Sequence, residues 1–412
     1  MVGHRAGDPE QLDHACKQAL EDWPAKRAYD TGWQRRLHDA GYAGLAWPAD
    51  YGGRGLSPSL ELIYLEETEA ARAPYVGCNF VGTLHAGPTI IAEGRPDQQA
   101  AHLPGILRGD HVWCQGFSEP EAGSDLASLR TRAVRDGDEY VVSGQKIWTS
   151  HAHVADYCEL LVRTDPDAPK HKGISWLIMP MDTPGIDIRP MRTLTGVSEF
   201  AEMFLDEVRI PVTNRVGGEG DGWRVAMVTF SFERGTAFVS ELLGSMQLVA
   251  DLATIARKVE RRGGGTAWSD DSIRRELAIV AAELDALYAL TRRNVTRASR
   301  PGGAGHGGSV FKLSYHGTRE RMGEVAMRLL DRAGLGAMSE ESGVHGGDRA
   351  LIVVLDPLGD RTAGPMSPAD ATLAPERLSW KAPNIGEKPA ARGSEEETGA
   401  ERSTVSNPSV LP

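Results

Sequence analysis

Two short stretches of the chain hold the residue types that a large planar cofactor needs. The first is Cys114-Gln115-Gly116-Phe117-Ser118-Glu119-Pro120-Glu121-Ala122-Gly123-Ser124-Asp125. It reads as a turn of small residues with two hydroxyls and exposable backbone N–H groups. Glycine lets such a backbone approach carbonyls and phosphates closely. The second, Gly144-Gln145-Lys146-Ile147-Trp148-Thr149-Ser150, follows at a distance that fits a hairpin. It sets a planar indole beside hydroxyls, which suits stacking on a flat ring while hydrogen-bonding its edge. Taken singly, the two read as a decorated β-turn and a core tryptophan. Other candidates are weaker. Gly218, Gly220 and Gly222 do not sit in a strand–turn–helix dinucleotide fingerprint. His151 and His153 have no carboxylate or cysteine cluster at metal-ligand spacing, so they read as loop histidines and no metal is expected.

The elements that must position these stretches follow from hydrophobic spacing. Over residues 1–111 the pattern is helical, with Leu60, Ile63, Tyr64 and Ala71 recurring at roughly helical intervals between breakers such as Tyr51-Gly52-Gly53. Over 112–222 the period shortens. Tyr140-Val141-Val142, Glu159–Val162 and Ile174–Met179 read as strands of a small antiparallel sheet or barrel. Over 223–345 the helical period returns, and Ile273, Leu277, Val280, Leu284 and Leu287 mark one buried face of a long helix. Residues 346–412 lack periodicity and carry Trp380 as their only aromatic, so the expectation is a disordered tail. The fold class implied is α+β: a helical segment, a sheet, then a helical bundle.

Composition excludes several function classes. Of 412 residues, 25% are charged and 41% hydrophobic, and the formal net charge is −12. That balance argues against a broad nucleic-acid surface or docking on anionic lipid, both of which need clustered Lys and Arg. Cys16, Cys78, Cys114 and Cys158 are widely spaced, which suggests neither a disulfide framework nor a zinc site. No stretch reads as a bilayer span and no signal-peptide core opens the sequence, so the expectation is a cytoplasmic enzyme with no membrane or nucleic-acid partner.

Taken together, the two stretches resemble the signature of the acyl-CoA dehydrogenase family. Ala40–Pro48 leading into Tyr51-Gly52-Gly53-Arg54-Gly55, and Glu202–Pro211 running into Gly218–Trp223, resemble further segments of that family. The resemblance implies FAD as cofactor and removal of two hydrogens from Cα–Cβ of an acyl-CoA thioester. It places Phe117 and Ser118 against the flavin, Ser118 at the pyrimidine end, with Gly123 in the same loop. It puts Ser124 where cofactor and substrate meet, Trp148 and Thr149 beside the isoalloxazine, and Ser150 near N5, the hydride acceptor. Ser118 and Ser150 stand where relatives often have Thr, and they keep the hydroxyl.

The α-proton of a thioester is weakly acidic, so the reaction needs a carboxylate base and stabilisation of the enolate-like charge. Family precedent offers two positions for the base: a late E-G-T-like segment, or a helix directly after the β-domain and before an Arg. The first is not recognisable here. The second is Ser231-Phe232-Glu233-Arg234-Gly235, which makes Glu233 the candidate base and Arg234 a substrate-side support; a structural Glu-Arg pair is the alternative. The usual R-x-x-F-G pyrophosphate segment is replaced by Ala256–Gly265, a basic, glycine-rich stretch that reads as a surface loop, and Leu335–Met338 falls where an adenosine-side loop is expected. The resemblance further implies an electron-transferring flavoprotein as acceptor and a homo- or hetero-oligomer with a related subunit. A flavin oxidase or monooxygenase on the same fold, and a non-catalytic or half-site subunit, stand as alternatives.

Overall fold

The computed structural model describes residues 22–71, 73–74, 76–193, 197–233, 238–298 and 307–331. Cys16, Arg234, Leu335–Met338 and the expected tail over 346–412 lie outside them.

Four helices come first: α1 (Trp23–Asp39), α2 (Pro58–Ala70), α3 (Gly87–Glu93) and α4 (Pro96–Arg108). The Asp22 carboxylate caps α1 by accepting from the Ala25 amide at 3.0 Å, which satisfies one of the donors a helix start leaves open. Gly109 closes α4 at φ 70°, a left-handed position that glycine takes without strain. A six-residue π-helix, Val81–Ala86, runs directly into α3. The expected stripe in α2 is out of phase. Leu62 is its buried residue, while Leu60 and Ile63 are 49% and 51% exposed. A short run of mixed apolar residues does not fix which face of a helix docks.

Eight strands follow: β1 (Trp113–Gly116), β2 (Arg132–Asp136), β3 (Glu139–Ser150), β4 (Tyr157–Arg163), β5 (Ile174–Pro180), β6 (Ile186–Met191), β7 (Phe200–Pro211) and β8 (Arg215–Val216). They form one sheet in the order β6-β7-β3-β2-β4-β5-β8, with β1 added on β4. Pairing is antiparallel except between β1 and β4 and at the single β2–β4 contact, which are parallel. The hairpin is β2–β3, so the first motif stretch is not a hairpin arm; it is the loop that precedes β2. One face of β1 and β4 (Trp113, Tyr157, Leu161) packs on the N-terminal helices, while Cys114, Cys158 and Leu160 belong to the core on the other face. Burial on both faces explains why β4 and β5 read as continuous apolar runs.

The last helices are α5 (Gly222–Glu233), α6 (Val239–Ala256), α7 (Asp271–Ala298) and α8 (Gly307–Leu330). The expected stripe on α7 is buried, with Ile273, Leu277, Val280, Leu284 and Leu287 all within 5% exposure. By length and composition α6 is apolar enough to cross a membrane. Its Leu242, Val249, Leu252 and Ile255 share a core with residues of α7 and α8, which is how a core helix acquires the same composition.

Candidate active site

The chain leaves β1 at Gly116, where a Cβ would stand 2.8 Å from both Cys158 Sγ and Leu160 Cδ1, so the close strand pairing needs glycine. The loop beyond it is tied down from beneath. Glu119 accepts from the amides of Arg130 at 2.6 Å and Thr131 at 2.8 Å, and from Lys146 Nζ at 2.9 Å. Lys146, fully buried, also donates to the Phe117 carbonyl at 3.1 Å, and the Ile147 amide donates to the Ser118 carbonyl at 3.0 Å. Burial alone would push the Glu119 carboxyl up, but the Lys146 ammonium and the two amides hold it below the usual range. Burial pulls Lys146 down, against the pull of Glu119. Because a trans peptide points its C=O and N–H in opposite directions, pinning the Phe117 carbonyl inward turns the Ser118 N–H outward. That amide has no acceptor among the described residues.

The second stretch breaks the regularity of β3. Lys146 pairs with Met203 and Thr149 with Ala201, so the register slips between them, and Trp148 sits in the slip at φ 60°. A left-handed tryptophan is a backbone outlier, and bulges that re-aim a side chain recur beside active sites. Here the bulge presents an indole that is 55% exposed, its ring edge-to-face with Phe200 at 5.7 Å. Thr149 is fully buried, its Oγ1 without a hydrogen-bond partner among the described residues, and Ser150 pairs with Phe200 across the ladder. His151 follows at φ 59°, buried between the rings of Trp23 and Phe80. Burial, then Lys26 and His153, pushes its imidazole down to about 3. Among the described residues no group of three or more His, Cys, Asp or Glu could hold a metal.

The start of α5 is jammed onto β5. A Cβ on Gly222 would lie 2.5 Å from the Ser175 carbonyl carbon and 2.7 Å from the Trp176 nitrogen, so this glycine serves packing. Further along, Thr229 shares a buried hydrogen bond with Thr89 of α3 at 2.9 Å. Phe230 then meets the Phe117 ring edge-on at 5.8 Å and 85°. Glu233 is the last residue of α5.

Gly123 and Ser124 lie exposed at the loop tip, and a Cβ on Gly123 would meet nothing within 4 Å. Open space at that glycine leaves the backbone accessible to a ligand. The basic stretch at Ala256–Gly265 is braced internally. Arg257 lies over the Trp268 ring at 3.9 Å, and Arg261 donates to the Arg328 carbonyl at 2.7 Å. Reading the sequence missed two buried polar groups. One is the Lys146–Glu119 clamp, whose partners are separated by 27 positions. The other joins Gln115 to Glu159 and His85. An unexplained Lys and Glu inside two apolar-bounded motif stretches were the available signal. An outward indole, an unused loop amide and an orphaned Thr149 hydroxyl together fit the ring of a flavin.

Known proteins resemble the chain over most of its length. Residues 10–110 match the family described as acyl-CoA dehydrogenase, N-terminal domain; 114–208 match its middle domain and 220–347 its C-terminal domain. The chain is 40% identical over 306 residues to the acyl-CoA dehydrogenase IpdE1 of Mycobacterium tuberculosis, covering 74% of this chain and 76% of that protein. Among solved structures, a Tcur3481-Tcur3483 steroid ACAD variant superposes with a TM-score of 0.66 at 30% identity, covering 90% of this chain and 99% of that one. The ChsE4-ChsE5 complex from Mycobacterium tuberculosis superposes with a TM-score of 0.66 at 31% identity, covering 87% and 95%.

Proposed function

The chain belongs to the acyl-CoA dehydrogenase family of FAD-dependent oxidoreductases, and from that premise we propose that it carries out α,β-dehydrogenation of an acyl-CoA with Glu233 as the base. The observation behind this reading is the Phe230–Phe117 contact, which lays the helix ending in Glu233 against the motif loop. When bound, FAD supplies a two-electron acceptor for the β-hydride. Phe117, Ser118, Gly123, Trp148, Thr149 and Ser150 hold it: the indole offers a stacking face, and the outward Ser118 amide and the hydroxyls offer bonds to the ring edge. Ser124 and Arg234 contact the acyl-CoA. Phe117 and Phe230 keep water from the reacting carbons, which strengthens every charge interaction there and lifts the basicity of a carboxylate. Glu233 removes the α-proton, and backbone donors of the loop stabilise the charge that develops on the thioester oxygen.

The proposal extends to partner and substrate. A chain whose arginines at 257 and 261 are occupied internally lacks the pyrophosphate segment of its relatives, and a related subunit would supply it. Two structural neighbours are described as two-protein assemblies, one of them a steroid ACAD, which supports a hetero-oligomer acting on a bulky alicyclic acyl-CoA. Electrons then pass to an electron-transferring flavoprotein. Among the described residues, Cys78, Cys114 and Cys158 are buried and free, which suits the reducing cytoplasm. The test is Glu233→Gln in the flavin-loaded protein. Anaerobic bleaching of the flavin by acyl-CoA is expected to slow by about 10²–10⁴-fold while flavin content holds. Near-normal bleaching removes Glu233 from the role.

A further inference from the structure

Two left-handed residues bracket the end of the second motif stretch. Among the described residues four non-glycine positions take a positive φ, and two of them, Trp148 at 60° and His151 at 59°, enclose Thr149 and Ser150. Residues with a side chain seldom occupy that region, and outliers kept there by their surroundings gather at ligand clamps. The bulge accounts for Trp148. His151 has no part in the reaction proposed above.

The slip in the ladder decides which side chains share a face. Lys146 pairs with Met203 and Thr149 with Ala201, so Ile147 and Trp148 together oppose Glu202. Beyond that point the alternation is inverted. Thr149 and His151 turn to the buried side, and Trp148 and Ser150 share the other. Phe200, the ladder partner of Ser150, lies edge-on to the Trp148 ring. The face so formed is an indole propped by a phenyl ring, with a hydroxyl two residues along.

Both ends of this face are pinned. At its start the Ile147 amide donates to the Ser118 carbonyl at 3.0 Å. At its end the His151 amide donates to the Glu199 carbonyl at 2.9 Å, and the His151 carbonyl accepts from the Val154 amide at 3.0 Å. The imidazole, 4% exposed, is wedged between the rings of Trp23 and Phe80, 5.5 and 5.8 Å away. Packing rather than hydrogen bonding holds the ring. Its Nδ1 has no partner among the described residues, and Glu199 Oε1 stands 3.7 Å from its Nε2. Trp23 opens α1 and Phe80 leads into the π-helix, so His151 ties the end of β3 to the N-terminal helices.

Resting on the reading of this strand as a seat for the flavin, we propose that His151 is a positioning residue for it. Its left-handed backbone, locked by the imidazole between Trp23 and Phe80, holds Ser150 and Trp148 on one face towards the isoalloxazine. The role belongs to backbone shape and ring packing, not to acid–base chemistry. A residue unable to keep φ near 60° lets the strand relax to extended backbone, which turns Ser150 away.

The test compares His151→Asn with His151→Val. Asparagine tolerates the left-handed region and β-branched valine does not, while both remove the ring, so lost packing is common to the pair. The full chain is purified with FAD and with any related subunit it requires. Release of FAD on dilution is followed by recovery of free-flavin fluorescence, alongside the visible spectrum. His151→Val should release FAD about tenfold faster than His151→Asn, the effect of losing a hydrogen bond and part of a stacking face. Only His151→Val should shift the flavin band. Ser150→Ala should speed release in the His151→Asn background and add nothing in the His151→Val background. Equal release and matching spectra for the two His151 variants overturn the proposal, even if both lose stability together. If His151→Val does not fold, His151→Gly and His151→Ala pose the same contrast with a smaller penalty, and equal release rates there overturn it. If Ser150→Ala and Trp148→Ala alone both leave release and spectrum unchanged, the flavin reading of the strand fails and the proposal falls with it. An effect of those two without a difference between the His151 variants defeats the proposal alone.

Discussion

Between Asp30 and Glu159 the protein seals Asp30, His85, Glu119, Lys146, His151 and Glu159 away from solvent, whereas α6, α7 and α8 bury only uncharged hydroxyls among their described polar side chains, those of Ser245, Thr291, Tyr315 and Thr318. The two regions solve different problems. The C-terminal helices need only a filled apolar seam. The sheet and its flanking helices carry ionisable groups into low dielectric, which is tolerated where each charge is paired or hydrogen-bonded. Lys146 and Glu119 illustrate the use of that expense: their partners include the Phe117 carbonyl and the Thr131 amide, so the pair sets the shape of the motif loop.

Three measurements break or sharpen this contrast, beginning with the largest effect. Lys146→Met leaves Glu119 buried without its cation, and removing one partner of a buried pair costs about 3–5 kcal/mol. Denaturant melts should show that loss together with reduced flavin retention; full flavin occupancy in a folded variant would separate the clamp from the loop. Leu284→Ala, in the α7 seam, should cost about 2–5 kcal/mol through a cavity. Its flavin spectrum should match the parent's, because among the described residues the core around Leu284 holds none of the motif loop. A shifted flavin band would show the two regions to be coupled.

The third measurement is pH. His151 is pushed down to about 3 by burial, Lys26 and His153, and His102 to about 4 by burial and His111. Both folded values lie below the unfolded imidazole value of about 6.5, so between them the unfolded chain binds more protons. The stability these neutral imidazoles allow is fully present above about pH 6.5 and is lost as pH falls towards the folded values. Melting temperature should therefore drop from about pH 6.5 to about pH 4.5, and His151→Gln should flatten the slope by up to one proton. An unaltered slope would place the acid sensitivity elsewhere.

Much of this was legible in the chain itself. The small-residue turn after β1, the Gly144–Ser150 strand and the α7 stripe follow from local composition and period, since a periodic apolar face and a small-residue turn are written in consecutive residues. The phase of α2 was not, because Leu60, Leu62 and Ile63 offer two faces and docking chooses one. Nor was the core role of α6, whose composition alone also suits a bilayer.

The sequence by itself determined which residues are available: an indole after Lys146, a carboxylate closing α5, a turn rich in Gly and Ser. Only the tertiary structure decided how they act. Trp148 faces outward because the ladder slips by a residue against β7, and no local pattern announces a slip made by a strand more than fifty positions away. His85, Gln115 and Glu159 meet because a π-helix and two parallel strands converge. Contacts of 2.7 and 3.4 Å depend on that convergence, which no run of consecutive residues encodes.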